Sequence, residues 1–162
     1  MRRIVLAVFA AGLVLSFTAR AQDTPDFSGT WTMDVARSHS PTYPDFIGPV
    51  TLVIKQTAAE LSIETRRGER RTTVIYKLDD PQGQNTARSG QPARSYWEGT
   101  KLITETVRTV SDSTVSAKEV RSLDAGGNEM TIDTTLIVEH GYTLSGAKNY
   151  GTGRDVFKKV AP

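Results

Sequence analysis

From Phe27 onward, apolar and polar residues alternate in short runs separated by turn-forming residues, and no long stretch carries the helical period. Phe27 to Met33 opens the pattern, with Phe27, Gly29 and Trp31 on one parity. Val50 to Gln56 alternates on Val50, Leu52 and Ile54; Leu61, Ile63 and Thr65 follow a short connection. Thr72 to Leu78 places Val74 and Tyr76 on one face. Ser95–Glu98 and Lys101–Val110 flank Gly99-Thr100, a hairpin signal. Thr114–Leu123 and Met130–Glu139 flank Asp124-Ala125-Gly126-Gly127-Asn128, the strongest turn in the chain. Tyr142–Ser145 and Asp155–Val160 complete a series of about nine or ten strands, rich in the Val, Ile and Thr that suit a half-buried pleated surface.

Two segments break the pattern. Residues 34–48 contain Pro41 and Pro44, and residues 79–94 hold two Pro, two Gly, three Gln and an Asn, so both read as surface loops. Gly151 and Gly153 read as a further turn. Hairpin-linked strands at this spacing imply an antiparallel meander. Its free edges favour closure, which predicts an all-β fold: one up-and-down barrel of about 8–10 strands over residues 27–160, first strand paired with last.

The first 21 residues follow a different grammar. Arg2 and Arg3 precede an apolar run from Ile4 to Phe17, and Thr18-Ala19-Arg20-Ala21 supplies small residues at the −3 and −1 positions of a cut after Ala21. This is the pattern of a secretory signal peptide. The apolar run falls short of the roughly 20 residues that span a bilayer. The expected organisation is a signal peptide at 1–21, a short lead at 22–26 and the barrel at 27–160, with no membrane span after cleavage. Export without any cysteine fits a bacterial periplasm or exterior.

Composition then narrows the chemistry. The 162 residues carry 20 Lys and Arg against 18 Asp and Glu; losing Arg2, Arg3 and Arg20 leaves 17 against 18, a formal −1. A near-neutral chain has no broad field for polyphosphate, so nucleic acid is not an expected partner. The absence of cysteine excludes disulfides, thiol catalysis and iron–sulfur clusters, and two histidines cannot make a three-histidine metal site. His39 lies in a proline-flanked loop. Glu139, next to His140, points to the opposite face of its strand, so neither histidine has an acid to orient it. No enzyme activity, metal or cofactor is expected.

The stretch Phe27-Ser28-Gly29-Thr30-Trp31 resembles the Gly-x-Trp signature of the calycin superfamily, which includes lipocalins, fatty-acid-binding proteins and avidins. Its continuation to Ser38, together with Tyr96-Trp97-Glu98-Gly99-Thr100-Lys101-Leu102 and Val156-Phe157-Lys158-Lys159-Val160, resembles exported bacterial lipocalin-like domains. The resemblance implies a barrel whose first-strand tryptophan plugs one end, with a basic residue from the C-terminal region packed across it. By position that residue is Arg154, Lys158 or Lys159. Only Trp31 and Trp97 exist, so the tryptophan set of avidins is absent.

The implied function is a non-catalytic carrier or sensor of a small apolar or amphipathic molecule. The alternative is an envelope structural or interaction module whose barrel is filled by its own side chains. Leu102, Thr104, Thr106 and Arg108 share one strand face, and Val115, Ala117, Glu119 and Arg121 share a face of the next. If those faces point inward, the interior holds Arg108, Glu119 and Arg121, and the two arginines stand ready for a polar end; a shift of one residue would place Ile103, Glu105, Val107, Ser116, Lys118 and Val120 inside instead. The expected contacts of a ligand are Tyr43 and Phe46 at the mouth, Tyr76, Leu102 and Leu136 deeper, and Arg108 or Arg121 at its polar end. The sequence does not specify an oligomeric state.

Overall fold

The computed structural model describes residues 24–39, 48–78, 85–86, 92–140 and 148–161. Ten strands occupy them: β1 (Gly29–Met33), β2 (Thr51–Gln56), β3 (Glu60–Arg67), β4 (Arg70–Lys77), β5 (Asn85–Thr86), β6 (Pro92–Glu98), β7 (Lys101–Val110), β8 (Ser113–Leu123), β9 (Glu129–His140) and β10 (Lys148–Lys159). A single 3-10 turn, Val35–Arg37, follows β1. The strands form one antiparallel sheet in the order β4-β3-β2-β1-β10-β9-β8-β7-β6-β5. First and last strands pair, with Trp31 opposite Lys159 and Met33 opposite Phe157. The sheet curls until β4 lies against β5 and β6. No ladder joins β4 to β6 among the described residues, so the barrel is nearly closed.

The alternating runs become strands because each presents one apolar parity to the interior. Trp31, Met33, Leu52, Ile54, Leu61, Ile63, Leu102, Met130, Ile132 and Phe157 are buried together. The turns follow local chemistry. At the β8–β9 hairpin the Asp124 carboxylate accepts the backbone N–H groups of Asn128 (2.7 Å) and Glu129 (2.8 Å), and Gly127 takes a φ of 66°. These bonds hold the Asp124 carboxyl below its usual range, the Glu129 amide contributing most.

Two expectations are corrected. The last strand does not begin at Asp155 but at Lys148, and Gly151 and Gly153 are not a turn: they sit in β10 opposite Leu136 and Thr134. The segment 79–94 is not wholly loop, since β5 pairs with the start of β6 through Asn85–Ala93 and Thr86–Pro92. The expected strand Tyr142–Ser145 lies outside the described residues.

Strand alternation gives the barrel two distinct ends. At one, Phe27 is fully buried, its N–H bonded to the Gln56 side chain (3.0 Å) and its ring stacked on Trp97 with centroids 6.0 Å apart. Trp31 is fully buried beneath it and donates its indole N–H to the Phe27 carbonyl (2.9 Å). Lys159 supplies the cation over Trp31, its Nζ 5.2 Å from the ring centroid. The other two basic candidates point elsewhere: Arg154 pairs with Asp133 at 2.6 Å and Lys158 with Asp34 at 3.0 Å. The opposite end carries the β1–β2 connection and the β3–β4 and β7–β8 turns.

Candidate functional site

The pairing register shows which residues share a face, and the burial of Ser95, Thr104 and Arg121, with Leu102 in the core, shows which face points inward. One row across five strands reads Ser95, Thr104, Glu119, Thr134 and Gly153; the next reads Trp97, Leu102, Arg121, Ile132 and Asp155. A polar band thus crosses the interior on β6–β10, one row away from the apolar plug. A charged group in such a place is stable only when partnered. Arg121, 4% exposed, donates from Nη1 to the Thr104 hydroxyl (2.8 Å) and from Nη2 to Glu119. Thr104 in turn shares a 3.2 Å hydrogen bond with Ser95. The guanidinium also faces the Tyr76 ring, with Cζ 6.0 Å from its centroid.

Beside this band is a cavity of about 170 Å³. Its apolar wall is Met33, Val50, Leu52, Ile63, Val74, Ile132 and Phe157; its polar wall is Thr65, Arg67, Tyr76, Glu119, Arg121 and Asp155. Met33, Val50 and Arg67 place it toward the end away from Trp31. The Nε–H of Arg121 is buried without a hydrogen-bond partner, the only such buried side-chain nitrogen or oxygen among the described residues. An unpaired buried donor costs about 1–3 kcal/mol, and a ligand or ordered water bearing an acceptor removes that cost.

Burial raises the Asp155 carboxyl above its usual range, and the negative charge of Glu119 raises it further, against the pull of Arg67 and His39. Burial also raises the Tyr76 hydroxyl, Glu119 adding to the effect and Arg121 opposing it. No hydrogen bond or ion pair among the described residues engages the Asp155 carboxylate. Two cations and two carboxylates therefore line one small space.

Of the residues expected at a ligand, the structure brings Tyr76 and Arg121 together on the cavity. Leu102 is fully buried in the apolar core near Phe27 and Trp31, Leu136 is partly buried on β9 opposite Ala117, and Arg108 is exposed near the end of β7. Tyr43 and Phe46 lie outside the described residues. The sequence reading overlooked Asp155 and Arg67. Among the described residues no three His, Asp or Glu side chains come close enough to hold a metal ion, and no helix is long and apolar enough to cross a membrane. His39 is tied by its backbone to Arg154, N–H to carbonyl in both directions (2.9 and 3.1 Å).

No protein-family model matches the chain, and no curated protein matches it. Solved structures do. A point mutant of the fluorescent protein UnaG superposes with a TM-score of 0.52 at 17% identity, covering 84% of this chain and 97% of that one. Wild-type UnaG gives 0.51 at 17% identity over 83% and 97%. The REP1-NXSQ fatty acid transporter gives 0.41 at 14% identity over 85% and 98%. The UnaG likeness shows the fold alone, a calycin-like antiparallel barrel, in agreement with the strand order.

Proposed function

We propose that this protein is a non-catalytic barrel that binds a small amphipathic molecule in the cavity beside Arg121. The carrying observation is the buried Arg121 Nε–H, a donor without an acceptor, on a residue that lines a cavity with one apolar and one polar wall. That combination of apolar lining and a few convergent polar groups is the general form of a small-molecule site. At about 170 Å³ the cavity lies below the usual range of about 300–1,000 Å³, so the ligand is compact. The barrel acts outside the cytoplasm of a bacterium, in the periplasm or beyond it, after removal of residues 1–21; the apolar run Ile4–Phe17 and the small residues before Gln22 support this.

Native mass spectrometry of the protein purified from its own cell envelope tests the binding reading. We expect a co-purifying small molecule that leaves on denaturation and is absent from a Val74→Trp variant, whose indole fills the cavity. A second reading, a filled structural barrel, draws on the small volume and on the contacts that Arg121 already makes to Thr104 and Glu119. A ligand-free mass, together with a loss of stability in Val74→Trp from an overpacked interior, would favour that second reading. The same spectrum reports the mature terminus: a chain beginning at Gln22 supports export, and retained residues 1–21 exclude cleavage there.

A further inference from the structure

We propose that the ligand is a compact amino acid with an apolar side chain, its ammonium held by Asp155 beside Glu119 and a carboxylate oxygen held by the Arg121 Nε–H. This rests on the ligand-binding reading above and narrows it to a class. Two features separate this class from a simple fatty-acid anion. First, the two cations and two carboxylates of the cavity already balance. An anion would leave uncompensated charge in a confined space, whereas a zwitterion adds none.

Second, a donor and an acceptor are both available. Arg121 has a buried donor with no acceptor, and no described residue donates to the partly exposed Asp155 carboxylate. The two stand in one cross-strand row, separated only by Ile132 on β9, so their backbones are about 10 Å apart. Both residues line the same cavity with Ile132 between them, and the ligand's ammonium and carboxylate are assigned to that space. Met33, Ile63, Val74 and Phe157 then receive the apolar side chain.

A matched series read by isothermal titration tests this on the wild-type protein. Norleucine carries both charged groups; hexanoate is the same molecule without the ammonium, and pentylamine the same without the carboxylate. We expect norleucine to bind about tenfold more tightly than either, a difference of about 1.4 kcal/mol. Asp155→Asn should weaken norleucine about tenfold and leave hexanoate within about twofold, with a thermal melt confirming that the variant is folded. If hexanoate binds as tightly as norleucine, or Asp155→Asn leaves norleucine unaffected, the amino-acid assignment falls while the amphipathic-ligand reading stands. If none of the three binds, both fall. The comparison among ligands on wild type decides the question even if the variant does not fold.

Discussion

The stem of Lys159 crosses directly over Gly29 to bring its ammonium onto Trp31. A Cβ built on Gly29 would lie 2.8 Å from Lys159 Cε, and Gly29 itself has a φ of 138°. The Gly-x-Trp pair and the distant lysine are thus one unit: the glycine provides the space and the backbone conformation, and the lysine provides the cation. Gly29→Ala should cost about 1–3 kcal/mol through backbone strain and the displaced lysine. Lys159→Ala alone should cost about 0.5–1 kcal/mol, the range for an exposed cation–π contact. In the double variant the steric part vanishes, so the two costs should sum to more than the measured loss. Urea unfolding of the four proteins checks this. Full additivity would show that Lys159 exerts no steric control over Gly29.

Trp31 contributes through its indole N–H as well as its area. Trp31→Phe retains an aromatic ring but strips the donor from the buried Phe27 carbonyl (2.9 Å). The expected loss is about 1–3 kcal/mol for the orphaned carbonyl, beyond what the smaller ring costs. Phe27 also stacks on Trp97, so loosening it should expose that second indole. Trp97 fluorescence in Trp31→Phe should shift to the red; an unshifted spectrum would show that Phe27 is held by Gln56 alone.

The barrel was legible because its strands are amphipathic and its turns are explicit. Lys101–Val110 has the same bounds in the sequence reading and the structure, as alternation there is unbroken between Gly99-Thr100 and Ser111-Asp112. The first half of β10 was not legible. Lys148-Asn149-Tyr150-Gly151-Thr152-Gly153 has no apolar alternation and two glycines, and it is a strand because β9 offers a partner along its whole length. Context overrode local preference there. The site was half legible. Glu119 and Arg121 were visible as a possible inward pair, but parity alone could not choose the face. The Leu102–Arg121 pairing together with the place of Leu102 in the core made that choice. Asp155 was hidden because it stood at the start of a predicted strand, where no alternation assigns a side.

Arg121 and Glu119 form a pair whose members are unequally buried, with side chains 5% and 35% exposed. Arg121→Met removes the cation and leaves Glu119 and the buried Thr104 hydroxyl without their donor. We expect a loss of about 1–3 kcal/mol, less than for a fully buried pair because water reaches Glu119. Adding Glu119→Gln removes the uncompensated charge and should recover part of that loss, as replacing whole buried pairs often does. Guanidinium melts of the two single variants and the double test the coupling. If the double variant loses the sum of the single losses, the pair has no direct interaction.

Asp155 should make the barrel more stable in mild acid than its other carboxylates allow. Its carboxyl is raised in the folded state by burial, then by Glu119, with Arg67 and His39 opposing. Between the unfolded value, about 3.9, and that raised value, the native chain holds a proton that the unfolded chain has lost. Stability contributed by Asp155 therefore falls as pH rises through this window, and the penalty persists at neutral pH. Glu129 has the opposite sign: Arg37, bound through both nitrogens at 2.6 and 2.8 Å, lowers its carboxyl, so its contribution is lost as pH falls. Asp155→Asn should accordingly raise the melting temperature at pH 7, and the gain should shrink to nothing below about pH 3.9. Glu129→Gln should lower the melting temperature at pH 7 and converge on wild type in acid. Calorimetric melts of the three proteins from pH 3 to pH 8 separate the two signs. An Asp155→Asn protein less stable than wild type at pH 7 would mean that the carboxylate is held by a partner stronger than the repulsion from Glu119.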